Sequence, residues 1–153
     1  MDEQAMPILL AWRLGPAVYN ALWPKIALTA DYILRTGPWT YQDRWEEDSG
    51  YSPSTIAAEV AGLVAAARIA EDNVDNARAG SYLAAADYWQ QNVTHWTYTS
   101  SGAYGSGKYH VRINPANKSR TASSGGGGQS YEPTSYPRLW SDLSREERRR
   151  HAG

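Results

Sequence analysis

The stretch Ser52-Pro53-Ser54-Thr55-Ile56-Ala57-Ala58-Glu59-Val60-Ala61-Gly62-Leu63-Val64-Ala65-Ala66-Ala67-Arg68-Ile69-Ala70 decides the fold. Ser52 is an N-cap residue and Pro53 suits the first helical position, where a missing N–H costs nothing, so a helix starts here and runs to about Ala70. Ile56, Val60, Leu63, Val64, Ala67 and Ile69 leave only Glu59 and Arg68 strongly polar. A helix apolar around most of its circumference must be covered on most sides, and it belongs inside a larger helical bundle or barrel.

Immediately before it lies Gly37-Pro38-Trp39-Thr40-Tyr41-Gln42-Asp43-Arg44-Trp45-Glu46-Glu47-Asp48-Ser49-Gly50-Tyr51. Gly-Pro stops one helix and Ser-Pro starts the next, so these acids, the arginine and the aromatic residues occupy a loop held at both ends. Loops on rigid scaffolds are where binding and catalytic groups concentrate. Indole faces beside carboxylates suit sugars, whose C–H faces stack on the ring while their hydroxyls bond to acids and arginine. On composition alone the plainer reading is a solvated turn with Arg44 paired to an acid.

Further out, residues 3–14 carry Met6, Leu9, Leu10, Trp12 and Leu14 among small residues and read as a buried helix, with Pro7 tolerated in its first turn and Gly15-Pro16 ending it. Asp2 and Glu3 near its start complement the helix dipole. Pro24 reads as the first residue of a second helix, whose Ile26, Ala27, Ala30, Ile33 and Leu34 recur at three- and four-residue spacing up to Gly37. After a turn at Asp72–Asn76, with Asp75 as candidate cap, residues 76–96 read as a fourth helix. Its Tyr82, Trp89 and Trp96 fall on one face as core. From Thr97 the period changes. Trp96–Thr99, a Gly-rich turn at Gly102–Gly107 and Tyr109–Ile113 read as a β-hairpin.

The chain has 153 residues, a net charge of −1 and a pI near 6.3, which give no reason to expect nucleic acid or an anionic membrane as partner. No apolar run approaches the roughly 18 residues that span a bilayer, and no signal-peptide pattern opens the chain, which leaves the cytoplasm as the default compartment. With no cysteine there are no disulfides or thiolate metal sites, and His95, His110 and His151 have no metal-ligand spacing. Residues 114–153 read as a disordered tail, first Gly/Ser-rich around Thr121–Gly128 and then charged. Nothing in the sequence addresses the oligomeric state.

Three segments carry a family resemblance. Asp43-Arg44-Trp45-Glu46-Glu47-Asp48-Ser49-Gly50-Tyr51-Ser52-Pro53-Ser54-Thr55 resembles the RWEE-x-SGYSPST segment of glycoside hydrolase family 15, the bacterial glucoamylases with related glucodextranases and trehalases. Met1–Leu14 is similar to that family's QxDExAxPILLAWRL helix, and Trp23–Pro38 to its WPxxxxAADYxxRxGP helix and turn. The resemblance runs from residue 1 to about 113, and it reverses the solvated-turn reading of the loop. It implies an all-α fold, a partial (α/α)6 toroid of about four helices with a β-hairpin. The whole toroid needs more than twice this length, so the chain reads as part of one, and its tail as the product of a truncated or frame-shifted gene.

The implied reaction is inverting hydrolysis of terminal α-glucosidic bonds in an α-glucan or oligosaccharide, with no metal or organic cofactor. Inversion needs a carboxylic acid to protonate the leaving oxygen and a carboxylate to activate water, roughly 6.5–9.5 Å apart. By motif position Glu46 is the general acid, with Trp45 and Glu47 as the neighbours that favour its protonated form. Glu47 is the partner on a sugar hydroxyl, Asp43 supports the pair, and Arg44 and Trp45 shape the pocket. The family's base is a second glutamate near the C-terminal end of its catalytic domain. Glu59, Glu71 and Glu132 do not sit in that context. The contrasting reading is a helical remnant without activity, binding sugar weakly at most.

Overall fold

The computed structural model describes residues 1–43 and 45–115. Four helices, α1 (Asp2–Leu14), α2 (Pro16–Thr36), α3 (Pro53–Asp72) and α4 (Asn76–Thr97), are followed by two short antiparallel strands, β1 (Tyr98–Thr99) and β2 (Tyr109–His110). Helix α3 packs against each of the other three. It supplies Ile56, Leu63 and Ile69 to a core completed by Ile8, Ile33, Tyr82 and Trp89, all of them buried.

The all-round apolar pattern of α3 thus becomes a central position. By length and composition this helix is also apolar enough to cross a membrane, with a mean hydropathy of 1.2, contrary to the sequence reading. Its most apolar window is 61% buried against its neighbours, as befits a core helix.

The start of α2 differs from expectation. The helix begins at Pro16, not Pro24, because Gly15 takes φ 94° and turns the chain from one helix directly into the next. Pro16 then stands at the first helical position, where proline is favoured. Pro24 is left inside the helix, as Pro7 is inside α1 beyond its first turn.

Helix α1 buries a different face from the expected one. Ala5, Ile8 and Ala11 point inward, while Met6, Leu10, Trp12 and Leu14 are exposed. Small residues set this choice. A Cβ on Gly62 would lie 2.8 Å from the Cβ of Ala5, so α1 and α3 approach along an Ala/Gly seam that a larger side chain would hold open.

Helix α4 follows the sequence reading. Asp75 caps it by accepting from the Arg78 amide at 3.1 Å, Tyr82 and Trp89 are buried, and Trp96 packs at the edge of the core. Asp31 of α2 accepts from the Tyr82 hydroxyl at 2.7 Å and pairs with Arg78, tying α2 to α4. The hairpin is present, but its ladder stops at Tyr98 with His110 and Thr99 with Tyr109. Beyond Pro115, the tail expected to be disordered lies outside the described residues.

Candidate active site

The acidic loop is closed at its neck by two backbone hydrogen bonds between Thr40 and Gly50, at 2.9 and 2.8 Å. One residue on, Tyr51 exchanges a second such pair with Asn114, which follows the hairpin, at 2.9 and 2.8 Å. The Tyr51 ring stacks on Trp96 with centroids 5.0 Å apart, and the Asn114 side chain donates to the Trp96 carbonyl. Gly50 makes this crossing possible. Its φ is 148°, and a Cβ there would stand 2.4 Å from the Asn114 carbonyl oxygen.

Inside the loop, Asp43 organises the backbone. Its Oδ1 accepts from the amides of Trp45 at 3.0 Å and Glu47 at 3.2 Å, while its own amide donates to the Asp48 carbonyl at 2.7 Å. The side chain is only 2% exposed. Burial pushes its carboxyl upward, but the Glu47 and Trp45 amides and the Arg112 guanidinium outweigh that and hold it below the ordinary value. Asp43 therefore serves as an ionised anchor around which the following residues are wound.

Glu46 donates its amide to the Asp43 carbonyl at 3.0 Å and turns the chain with φ 59°, an uncommon value for a residue with a Cβ. Its side chain is exposed, and Trp45 is 66% exposed. The expected shelter of Glu46 beneath the Trp45 indole is not formed by the described residues, because the anchored turn carries both residues outward. Glu47 is exposed as well. Arg44 lies outside the described residues. Trp39 and Tyr41, at the loop's entry, meet edge to face with centroids 4.8 Å apart.

One residue that sequence reasoning passed over gathers the loop's acids. Arg112, just past β2, places Nη1 2.7 Å from Asp43 Oδ2 and 3.0 Å from Glu47 Oε2, with Nη2 3.2 Å from Asp48 Oδ2. In the sequence it is one arginine in an alternating run, and only the long-range pairing of Tyr51 with Asn114 brings it to the loop.

A second residue was misplaced. Glu59, read as a polar position on a helix face, is fully buried, and neither carboxyl oxygen has a hydrogen-bond partner among the described residues. Burial raises it to about 8. The Met1 ammonium pulls it down and Asp2 pushes it up. Among the described residues no three His, Asp or Glu side chains gather as metal ligands do.

Comparison with known proteins gives this geometry a context. The family model described as "Glycosyl hydrolases family 15" matches residues 1–135, past Asn114–Pro115 where the sequence reading lost the resemblance. A glucoamylase of Clostridium sp. (strain G0005) is 48% identical over 114 residues, which are 74% of this chain and 16% of the relative. A solved structure described as "crystal structure of bacterial glucoamylase complexed with acarbose" superimposes with a TM-score of 0.70 at 49% identity, over 74% of this chain and 17% of that one. The chain thus spans about a sixth of the length of these relatives. Its four helices and small hairpin agree with a part of the helical toroid of such a protein.

Proposed function

The chain belongs to glycosyl hydrolase family 15, and from that premise we propose that it carries the general-acid portion of a glucoamylase-like enzyme that hydrolyses terminal α-glucosidic bonds of α-glucans with inversion. Glu46 gives its proton to the glycosidic oxygen as the C1–O bond breaks. Water adds to C1 from the opposite face and loses its proton to a second carboxylate. That base is supplied by chain outside these 153 residues. Glu47 bonds a sugar hydroxyl on the leaving side, and Arg44 and Trp45 line the subsite.

The observation that carries this reading is the anchoring of Trp45 and Glu47 by the buried carboxylate of Asp43. It fixes the backbone on both sides of Glu46, and among the described residues the Glu46 carboxyl takes no part in loop structure. A general acid keeps its proton near neutrality where water is excluded or a like charge stands close. Around Glu46 that cover is assigned to the bound sugar and to chain outside these 153 residues.

Once completed with the chain that supplies the base, the protein given maltooligosaccharides is expected to release glucose first as the β-anomer, seen by NMR, and Glu46→Gln to abolish release. Release of the α-anomer, or full activity in Glu46→Gln, would overturn the assignment. Trehalose and dextran, tested in parallel, decide between the glucoamylase reading and a trehalase or glucodextranase of the same family.

A second reading rests on a different observation. Met6, Leu10, Trp12, Leu14, Leu22 and Leu28, all on α1 and α2, are exposed, apolar side chains of the kind that further helices cover. On this reading the isolated chain is an inactive helical remnant that binds sugar weakly at most. Strong binding of a hydrophobe-sensing dye by the isolated chain, together with no glucose release once the chain that supplies the base is added, supports it.

A further inference from the structure

The three acids at Arg112 differ in what they ask of it. Glu47 and Asp48 are exposed, with side chains 64% and 59% accessible, and water solvates them whether or not a cation stands near. Asp43 is buried, and its Oδ1 is already occupied by two amides. Its Oδ2 makes no hydrogen bond that meets ordinary angular limits, and the Arg112 guanidinium at 2.7 Å is its one charged partner among the described residues. Without that cation, a carboxylate that must stay ionised to bind the loop amides is left facing the interior on one side.

From this geometry we propose that Arg112 is a positioning residue of the active-site loop, locking Asp43, and through it the backbone flanking Glu46, to the outgoing arm of the hairpin. The inference rests on the role proposed above for Glu46 and adds a residue to that site. Two details support a fork-shaped cation over a point charge. Nη1 reaches Asp43 and Glu47 together, while Nη2 reaches Asp48, a spread that a single ammonium does not reproduce. The backbone anchor between Tyr51 and Asn114 is independent of the guanidinium, so its removal loosens the loop without detaching the hairpin.

The test compares purified wild-type chain with Arg112→Gln and Arg112→Lys by three readouts. Carbon-detected NMR titration of the Asp43 carboxyl is expected to move upward in Arg112→Gln and back toward wild type in Arg112→Lys, a recovery that follows charge. Amide exchange at Trp45 and Glu47 is expected to rise about tenfold in Arg112→Gln, with α3 unchanged. Where the wild type hydrolyses maltooligosaccharide, Arg112→Gln is expected to lose about a hundredfold in kcat with a smaller change in KM. Unchanged Asp43 titration and unchanged loop exchange in Arg112→Gln overturn the role of Arg112 whatever the activity. A wild type that shows no hydrolysis when completed with the chain that supplies the base counts against the proposed function, and the two NMR readouts still decide Arg112.

Discussion

Glu59 lies against Gly37: its Oε1 stands 2.9 Å from the point where a side chain on Gly37 would begin, and the Trp89 ring closes the same space at 2.7 Å. The first residue of the acidic loop therefore rests on a buried carboxyl. Since burial raises this group to about 8 from an ordinary 4.5, the folded chain holds a proton there that the unfolded chain has released. Between those two values the native state binds more protons, so stability falls as pH rises, by at most about 1.4 kcal/mol per pH unit. The full contribution is present below pH 4.5. Glu59→Gln is expected to flatten this slope, gaining on wild type at pH 8 and losing the advantage at pH 4.5. Urea denaturation at both values checks it, and equal slopes in the two proteins would remove Glu59 as the cause.

Gly62→Ala tests the seam between α1 and α3. Helix propensity alone favours alanine by about 1 kcal/mol. Against it, the new methyl would meet the Ala5 Cβ at 2.8 Å and the Ala5 Cα at 3.1 Å, and a backbone atom cannot rotate away. Overpacking of this kind costs about 1–3 kcal/mol, so the expected net effect is a loss of about 1 kcal/mol. A lower melting temperature at unchanged helicity agrees with that balance, and a stabilised variant contradicts the close approach.

Asp43→Ala removes the acceptor for the Trp45 and Glu47 amides. Their exchange is expected to accelerate toward that of an open loop, while the core helices stay protected. The same loosening is expected in wild type on acidification. Because Asp43 is held below the ordinary 3.8, its contribution is present above that value and is lost as pH falls through the lower folded-state one. Loop exchange followed from pH 6 down to pH 2 reads this directly. Loosening already complete at pH 5 would show that another group governs the loop.

What the sequence made legible followed local signals. Ser52-Pro53 marked the start of α3, Asp75 the cap of α4, and the change of period after Trp96 the hairpin. What it hid depended on partners far along the chain. Pro16 and Pro24 are both acceptable first residues of a helix, and only the backbone turn at Gly15 separates them. Helix α1 is apolar on several sides, so its inward face was settled by the Ala5–Gly62 approach and not by periodicity. At the site, motif position picked out Asp43, Glu46 and Glu47. The motif carried no information on Arg112, whose distance in sequence from the loop conceals its nearness in space.

The order in which the hairpin meets the loop leaves one part of the chain free to vary. The fastenings made by Arg112 and Asn114 come after β2, whereas the Gly102–Gly107 turn lies at the far end of the ladder, before it. Residues grafted between Ala103 and Ser106, the exposed part of that turn, are expected to extend the tip and leave the ladder's register intact. A lineage, or an engineer, can thus redesign what the tip touches while the ion pairs between Arg112 and the loop's acids stay in place.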